Sequence, residues 1–135
     1  MRDRASVAVT VVVPTRDRPA QLSSCLASVR AALHDADELV VTDSASLDAA
    51  AVAEVARAAG AKLVRCERPG VGRARNAGWR AGTGDVVLFT DDDVVVDAGW
   101  RDALVAAVTS GDDIGFVTGR VMPPAGEQPS RDVAI

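Results

Sequence analysis

Short runs of apolar residues alternate along this chain with longer segments whose apolar positions recur at helical spacing. The apolar runs predict buried strands over residues 7–13, 39–41, 62–65 and 86–89, with a late strand over 114–121. The periodic or alanine-rich segments predict helices over 19–33, 48–59, about 72–81 and 98–108. Strands and helices that alternate in this way form βαβ units, with helices on both faces of the sheet. We therefore expect an α/β fold, a Rossmann-like three-layer sandwich with a mostly parallel central sheet.

Composition and charge limit the classes of protein to which the chain can belong. Its 135 residues are 48% hydrophobic, which is typical of one globular domain. The formal net charge of -4 argues against a general nucleic-acid binder. No stretch resembles a membrane span, and Cys25 and Cys66 lack the spacing of a metal site. A cytoplasmic location, with both thiols reduced, is the expectation.

The last residues differ in character from the rest of the chain. Proline recurs there at positions 123, 124 and 129, which favours irregular structure. We expect one domain over residues 1–121, followed by an irregular proline-rich tail over 122–135. Because this tail offers no compact ending, the sheet is expected to be incomplete at its C-terminal side. An incomplete sheet has an exposed edge, where we expect either self-association or a covering partner chain.

Three consecutive carboxylates follow the predicted strand 86–89. Asp91, Asp92 and Asp93 repel one another unless a cation lies among them. If the backbone stays extended, Asp91 and Asp93 point to one side and Asp92 points to the other. Carboxylate oxygens suit Mg²⁺ or Mn²⁺, with water and substrate phosphates completing the coordination. The structural alternative is a solvated acidic loop.

Polar loops also follow the first two predicted strands. Pro14, Thr15 and Arg16 open the first loop, where an open α/β sheet binds anions or nucleotides. The alternative is that Asp17 only caps the helix that follows. Asp43 ends the second strand, and its carboxylate could accept a hydrogen bond from the ring N–H of a base. Either of two later side chains is expected to cap the next helix, namely Ser46 or Asp48.

A glycine-rich segment over residues 70–78 precedes the third helix. It fails the dinucleotide fingerprint because Arg75 occupies the third glycine position, and no Gly-Lys-Ser/Thr follows to make a P-loop. Arg73 and Arg75 can neutralise a diphosphate or pair with the acidic triplet, or they can be ordinary exposed arginines. The sequence has a single histidine, His34, interpreted as a surface residue at a helix end. A hydrolytic triad therefore has no support.

Four blocks of the sequence, taken in order, resemble family 2 glycosyltransferases of the GT-A fold. The blocks are VVVPTRDR (11–18), VVTDSAS (40–46), GRARNAG (72–78) and LFTDDD (88–93). Each block alone is weakly specific, but all four in this order and spacing are a strong match that spans about residues 7–100. One small departure is Ser44, since the family usually has asparagine or glycine after the aspartate.

The resemblance implies a nucleotide-sugar donor, a UDP- or GDP-sugar, at the carboxyl ends of the strands. The loop with Pro14, Thr15 and Arg16 would contact the nucleoside, and Asp43 would bind the base. Arg75, with Arg73, would lie near the base or the diphosphate. The acidic triplet corresponds to the DXD motif of the family. The implied substrate set includes Asp91 and Asp92, and the implied ligands of Mn²⁺ or Mg²⁺ are Asp91 and Asp93.

The expected function is that of an inverting, metal-dependent glycosyltransferase, with this chain carrying its donor-binding half. The later half of the family carries the acceptor site and the general base, and no residue here is a credible base, so the catalytic residue stays unassigned. Two alternatives remain: a non-catalytic or truncated nucleotide-binding module, and a phosphatase of the haloacid-dehalogenase type. The phosphatase is disfavoured because its acidic strand comes first and because no lysine follows Lys62.

Overall fold

The structure is a computed structural model, and it describes residues 7–117. It contains four strands that alternate with four helices. These are β1 (Val9–Thr15), α1 (Pro19–Ala32), β2 (Glu38–Ser44), α2 (Ala49–Ala58), β3 (Lys62–Cys66), α3 (Val71–Ala81), β4 (Val86–Phe89) and α4 (Trp100–Val108). All strand pairs are parallel, and the strand order is β3-β2-β1-β4. The predicted α/β class and parallel sheet are confirmed.

Helices cover both faces of the sheet. On one face, alternate residues of β1 (Val9, Val11 and Val13) join the apolar core with side chains of α1, α2 and α4. On the other face, α3 packs so closely that a Cβ added at Gly78 would lie 2.2 Å from Val12 Cγ1. Every residue of β1 is buried, which explains its nearly continuous apolar sequence.

The first two strands run further than their apolar cores suggest. The ladder between β1 and β2 continues past Val13 and Val41, pairing Pro14 with Thr42 and Thr15 with Asp43. Because the two strands are parallel, their polar ends lie side by side at the carboxyl edge of the sheet. The ladder therefore makes neighbours of two residues that the sequence separates by a helix, Thr15 and Asp43.

Of the residues that the sequence suggests as helix caps, one is a cap in the structure and two are not. Asp48 caps α2, since its Oδ1 accepts the N–H of Ala51 at 3.0 Å, whereas Ser46 is not a cap. Asp17 does not cap α1 either; the cap position is Arg18, which makes no side-chain capping bond. Gly60, with φ of +66°, closes the end of α2, where its N–H donates to the Arg57 carbonyl at 3.0 Å.

The predicted late strand is wrong over its first part, because residues 114–117 form no strand. The rest of that strand and the predicted tail lie outside the described residues. Within 7–117, β3 and β4 each pair with a single neighbour, so both edges of this sheet are open there. Self-association or a partner chain at an edge stays a prediction, which light scattering tests.

A buried ion pair fixes α4 to the amino edge of the sheet. Arg101 donates from Nε to Asp37 Oδ2 at 2.8 Å and from Nη2 to Asp37 Oδ1 at 3.1 Å, and Nη2 also donates to the Val7 carbonyl at 3.0 Å. The two side chains are 2% and 1% exposed. His34, interpreted above as a surface residue, lies beside this pair and contacts Asp102 Oδ1 at 2.9 Å.

No helix of the described residues is long and apolar enough to cross a membrane.

Candidate functional site

A cleft of about 430 Å³ opens at the carboxyl edge of the sheet. The loops after β1 and β4 and the start of α3 form its walls. Most of the predicted site residues line it, namely Pro14, Thr15, Arg16, Arg75, Asp91, Asp92 and Asp93. Four residues that were not predicted also line it, namely Arg18, Ser44, Gly70 and Val71. Asp43 and Arg73 do not line the cleft.

The acidic triplet forms a turn rather than the extended segment that the sequence suggested. The N–H of Val94 donates to the Asp91 carbonyl at 3.2 Å, which closes the turn. Asp91 and Asp93 are exposed, whereas Asp92 is buried and accepts a hydrogen bond from Thr15 Oγ1 at 2.9 Å. Asp92 is thus separated from Asp91 and Asp93, as expected. The cause is a turn and a buried hydrogen bond, and not the alternation of side chains along a strand.

The triplet concentrates negative charge beneath α1. Burial raises the pKa of Asp92, and the charges of Asp93 and Asp91 add to this, against the lowering effect of the Thr15 hydrogen bond and of Arg18. The buried thiol of Cys25 donates weakly to the Asp91 carbonyl at 3.4 Å. Burial, followed by the charges of all three carboxylates, raises the pKa of this thiol to about 12. The charges of the three carboxylates thus add to the effect of burial at both groups, and a cation beside the triplet would relieve their mutual repulsion.

Two arginines supply part of the counter-charge from opposite walls of the cleft. Arg75, on α3, approaches Asp91 Oδ1 with Nη2 at 3.3 Å. Arg18, at the start of α1, lies 3.6 Å from Asp92 and 3.6 Å from Asp93. Both arginines are about half exposed, so these ion pairs are weak and can exchange for other partners. Sequence analysis missed Arg18, although its place two residues after Arg16 in the same loop was a signal for it.

Arg16 and Arg73 are the remaining arginines of the predicted set. Arg16 lines the cleft with its side chain 54% exposed, and its Nε lies 3.7 Å from Asp17 Oδ2. Arg73 is exposed on the first turn of α3, outside the cleft lining, and forms no ion pair with another residue of the described range. The structure therefore brings Arg16 and Arg75 to the cleft, while Arg73 lies at its margin.

Asp43 is buried beside the cleft and is held from two directions. Its Oδ1 accepts the N–H of Ser46 at 3.0 Å, and its Oδ2 accepts from Arg65 Nη1 at 2.8 Å. Sequence analysis missed Arg65. No sequence pattern pointed to it, because only the register of the sheet makes Arg65 on β3 the direct partner of Asp43 on β2.

The start of α3 presents backbone to the cleft. Gly70 and Val71 line it, and the N–H of Gly70 donates to Ser44 Oγ at 3.0 Å. Gly70 has φ of +147°, a conformation that glycine adopts without strain. A helix N-terminus that faces a cleft favours anions, through its free N–H groups and its dipole.

The chemistry of the triplet fits a hard divalent cation that shares its ligands with a substrate. No group of three or more histidine, cysteine or acidic side chains within residues 7–117 has the geometry to hold a metal ion alone. Magnesium is usually held by one or two carboxylates together with waters and phosphate oxygens. The exposed carboxylates of Asp91 and Asp93 match that partial donor set.

Comparisons with known proteins agree on one family. The model of "Glycosyl transferase family 2" matches residues 10–132. An uncharacterized glycosyltransferase of Mycobacterium tuberculosis is 41% identical over 122 residues, which cover 90% of this chain and 52% of that protein. Glucosyl-3-phosphoglycerate synthase of Mycolicibacterium paratuberculosis is 34% identical over 101 residues, covering 68% of this chain and 30% of that protein. The chain thus spans about half the length of the first relative and less than half the length of the second.

Solved structures of the same kind share the fold. Glucosyl-3-phosphoglycerate synthase from Mycobacterium tuberculosis, in complex with Mn²⁺, UDP and glucosyl-3-phosphoglycerate, superposes with a TM-score of 0.68 and 30% identity, covering 81% of this chain and 42% of that one. A mannosyltransferase from Pyrobaculum calidifontis, in complex with GDP-Man and Mn²⁺, has a TM-score of 0.61 and 37% identity, covering 74% and 31%. The predicted GT-A fold is confirmed, and the chain belongs to glycosyl transferase family 2.

Proposed function

We propose that this chain carries the donor-binding half of an inverting, metal-dependent glycosyltransferase, and that its cleft holds the nucleoside diphosphate of a UDP- or GDP-sugar. The observation that carries the proposal is the convergence, in one cleft, of the loop after β1, Arg75 and the acidic triplet. Two similar proteins with solved structures contain Mn²⁺ together with UDP or GDP-Man, which supports the same ligand class for this chain.

The acidic end of the cleft would receive the diphosphate and its metal ion. Asp91 and Asp93 have exposed carboxylates and would hold Mn²⁺ or Mg²⁺, which when bound neutralises charge on the leaving diphosphate. Asp92 is anchored by Thr15 and would keep the turn in place. Arg75 reaches this end of the cleft and would exchange its pair with Asp91 for a phosphate oxygen. Arg73, two residues before Arg75 on α3 and outside the cleft lining, is proposed as an outer contact of the diphosphate.

The side of the cleft formed by the loop after β1 would receive the nucleoside, next to the triplet that Thr15 contacts. Pro14, Thr15 and Arg16 line this side, and Asp43 is the neighbour of Thr15 in the strand ladder, outside the cleft lining. Each carboxylate oxygen of Asp43 already accepts one hydrogen bond, and each has capacity for another. A base N–H would use that remaining capacity, and because Asp43 is 1% exposed, recognition of the base by Asp43 requires the site to open.

The cleft offers a donor site without a credible base for transfer. Among the described residues, the carboxylates that line the cleft all belong to the triplet, which is already assigned to the metal and its support. We therefore propose that this chain binds the donor and transfers sugar poorly or not at all by itself. In this respect the chain would behave like the second candidate, a non-catalytic nucleotide-binding module. Turnover of a sugar nucleotide by the purified chain would favour the transferase over that module.

A haloacid-dehalogenase type of phosphatase is a poorer match to the site. Such an enzyme would need a lysine near the acidic residues. Lys62 is the only lysine in the sequence, and its Nζ donates to the Ala81 carbonyl at 3.2 Å, at the C-terminal end of α3. The start of α3, and not its end, faces the cleft.

Titration calorimetry with UDP and GDP, each with and without Mn²⁺, tests the proposal. We expect one of the two nucleotides to bind, and to bind more tightly with the metal. Asp91→Asn and Asp93→Asn should each weaken metal-dependent binding by about 10- to 100-fold, because each removes a charged oxygen ligand. Asp35→Asn is the matched control, since it makes the same chemical change at an exposed site at the amino edge. Absence of binding by either nucleotide under every condition would refute the proposal.

A further inference from the structure

The loops that follow β1 and β2 exchange a pair of hydrogen bonds. The backbone N–H of Asp17 donates to Ser46 Oγ at 2.9 Å. In return, the backbone N–H of Leu47 donates to Asp17 Oδ1 at 2.8 Å. Some 30 residues and a helix separate the two loops in sequence, so these bonds fix tertiary structure rather than a local turn. We call this pair of bonds the Asp17–Ser46 clasp.

The clasp is anchored in the buried environment of Asp43. Ser46 is 2% exposed, and its N–H donates to Asp43 Oδ1 at 3.0 Å. Its carbonyl accepts from Arg65 Nη1 at 3.0 Å, and the same guanidinium nitrogen donates to Asp43 Oδ2. The N–H, the carbonyl and the hydroxyl of Ser46 are thus all used, each by a different partner. Such a satisfied buried network favours one arrangement of the loop.

Each loop also contains one strained residue. Asp17 has φ of +56° and Ala45 has φ of +55°, and they are the only non-glycine residues of the 7–117 range with positive φ. The left-handed region is unfavourable for residues with a Cβ, less so for aspartate than for alanine, and such strain persists only where the surrounding contacts hold it in place. The clasp holds Asp17, and the Ala45 N–H donates to the Cys66 carbonyl at 2.9 Å.

We infer that Asp17 and Ser46 are positioning residues of the nucleoside subsite, an inference that rests on the proposed function. Their clasp joins the loop that carries Arg16 to the loop that supports Asp43. Asp17 also lies 3.7 Å from Arg16 through its second carboxylate oxygen. The clasp therefore sets the spacing between the two walls that would contact one nucleoside.

The clasp should affect the binding of the nucleoside and not the binding of the diphosphate. The clasp itself makes no hydrogen bond to the acidic triplet or to Arg75. Thr15 and Arg18 of the same loop contact the triplet through bonds of their own, and these bonds do not involve Ser46 or Leu47. Breaking the two bonds of the clasp should weaken the contacts to a base and ribose, while the contacts to the metal and the phosphates stay unchanged. Affinity for UDP or GDP with Mn²⁺ should fall, whereas affinity for inorganic pyrophosphate with Mn²⁺ should not. A general loss of folded structure would weaken both ligands together.

Three substitutions separate the elements of the clasp. Ser46→Ala removes the acceptor of the Asp17 N–H. Asp17→Gly keeps the left-handed backbone but removes the acceptor of the Leu47 N–H. Asp17→Asn keeps both the acceptor oxygen and a residue type that tolerates positive φ, so it should restore the clasp. Asp48→Ala is the matched control, because it lies in the same loop and destabilises α2 without touching the clasp.

Calorimetry on these four variants and the parent protein, with thermal unfolding measured in parallel, tests the inference. We expect Ser46→Ala and Asp17→Gly to weaken nucleotide binding by about three- to tenfold each, the loss of one hydrogen bond. Asp17→Asn and Asp48→Ala should bind the nucleotide within about twofold of the parent protein, and all four should bind pyrophosphate with Mn²⁺ unchanged.

Two results would overturn the role of the clasp. One is nucleotide binding by Ser46→Ala and Asp17→Gly as tight as in the parent protein. The other is an equal loss of nucleotide and pyrophosphate affinity, which would show a merely structural contribution. Failure of the proposed function looks different, because the parent protein itself would then bind neither UDP nor GDP.

Discussion

Replacing Arg101 with methionine would leave the carboxylate of Asp37 buried without its counter-ion. The guanidinium donates twice to Asp37, once to the Val7 carbonyl and once to the exposed carboxylate of Asp102, and the substitution removes all four bonds. Methionine fills most of the volume, so the change is chiefly electrostatic. The pair lies at the amino edge of the sheet, across the fold from the cleft.

The expected cost follows from the burial of the pair. Both side chains are almost fully buried, and removing one partner of a buried ion pair costs about 3–5 kcal/mol. A domain of this size loses about 3.5 °C of Tm for each kcal/mol, so Arg101→Met should lower Tm by about 10–18 °C. In the double variant Asp37→Asn/Arg101→Met, part of this loss should be recovered, because no charge is then left buried and the amide oxygen can still accept the His34 N–H.

The pH dependence of unfolding gives an independent check. Burial alone would raise the pKa of Asp37, but hydrogen bonds from Arg101 and the His34 N–H, together with their charges, lower it below its ordinary value of 3.8. A lowered carboxyl pKa adds stability that is present above the unfolded-state value and lost as pH falls through the folded-state value. The Tm gap between parent and Arg101→Met should therefore narrow as pH falls from 7 towards about 3. A shift below about 3 °C at pH 7 would refute the reasoning.

Two further substitutions and one labelling experiment have expected outcomes of their own. Gly78→Ala places a Cβ 2.2 Å from Val12 Cγ1, so α3 must shift and the free energy of unfolding should fall by about 1–3 kcal/mol in urea titrations. Cys25 is fully buried and its pKa is raised to about 12 by burial and then by the nearby carboxylates, so a thiol reagent at pH 8 should label only Cys66 until the protein unfolds. Asp48→Ala removes the cap of α2 and should lower Tm by about 3–4 °C, since a cap contributes about 1 kcal/mol.

The hydrophobic pattern carried most of the information about the fold. Both faces of β1 are buried, so its nearly continuous apolar run was readable as a strand without any tertiary knowledge. The helix predicted over 19–33 likewise matches α1, whose buried face includes Leu22, Leu26 and Val29. The late strand failed where the apolar signal was short and interrupted by Gly115.

Parts of the site depend on contacts that no local pattern encodes. Asp17 has the sequence context of a helix cap, yet its carboxylate binds the N–H of Leu47 from another loop. Arg65 looks like an ordinary strand-end arginine until the register of β2 and β3 places it opposite Asp43. The triplet was recognisable as acidic, but the sequence did not indicate its turn or the buried bond between Asp92 and Thr15. Composition and spacing identify the residue types, whereas parallel pairing decides which of them meet.

The central claim is that Asp91 and Asp93 hold a metal ion together with a nucleoside diphosphate in the cleft. Its most direct test is a crystal of this chain grown with Mn²⁺ and whichever of UDP or GDP binds in solution, measured with anomalous scattering from manganese. We predict one manganese peak in contact with both the outer carboxylates and the diphosphate, with the base against the loop after β1. A nucleotide bound elsewhere, or one bound in the cleft with no manganese at the triplet, would contradict the account.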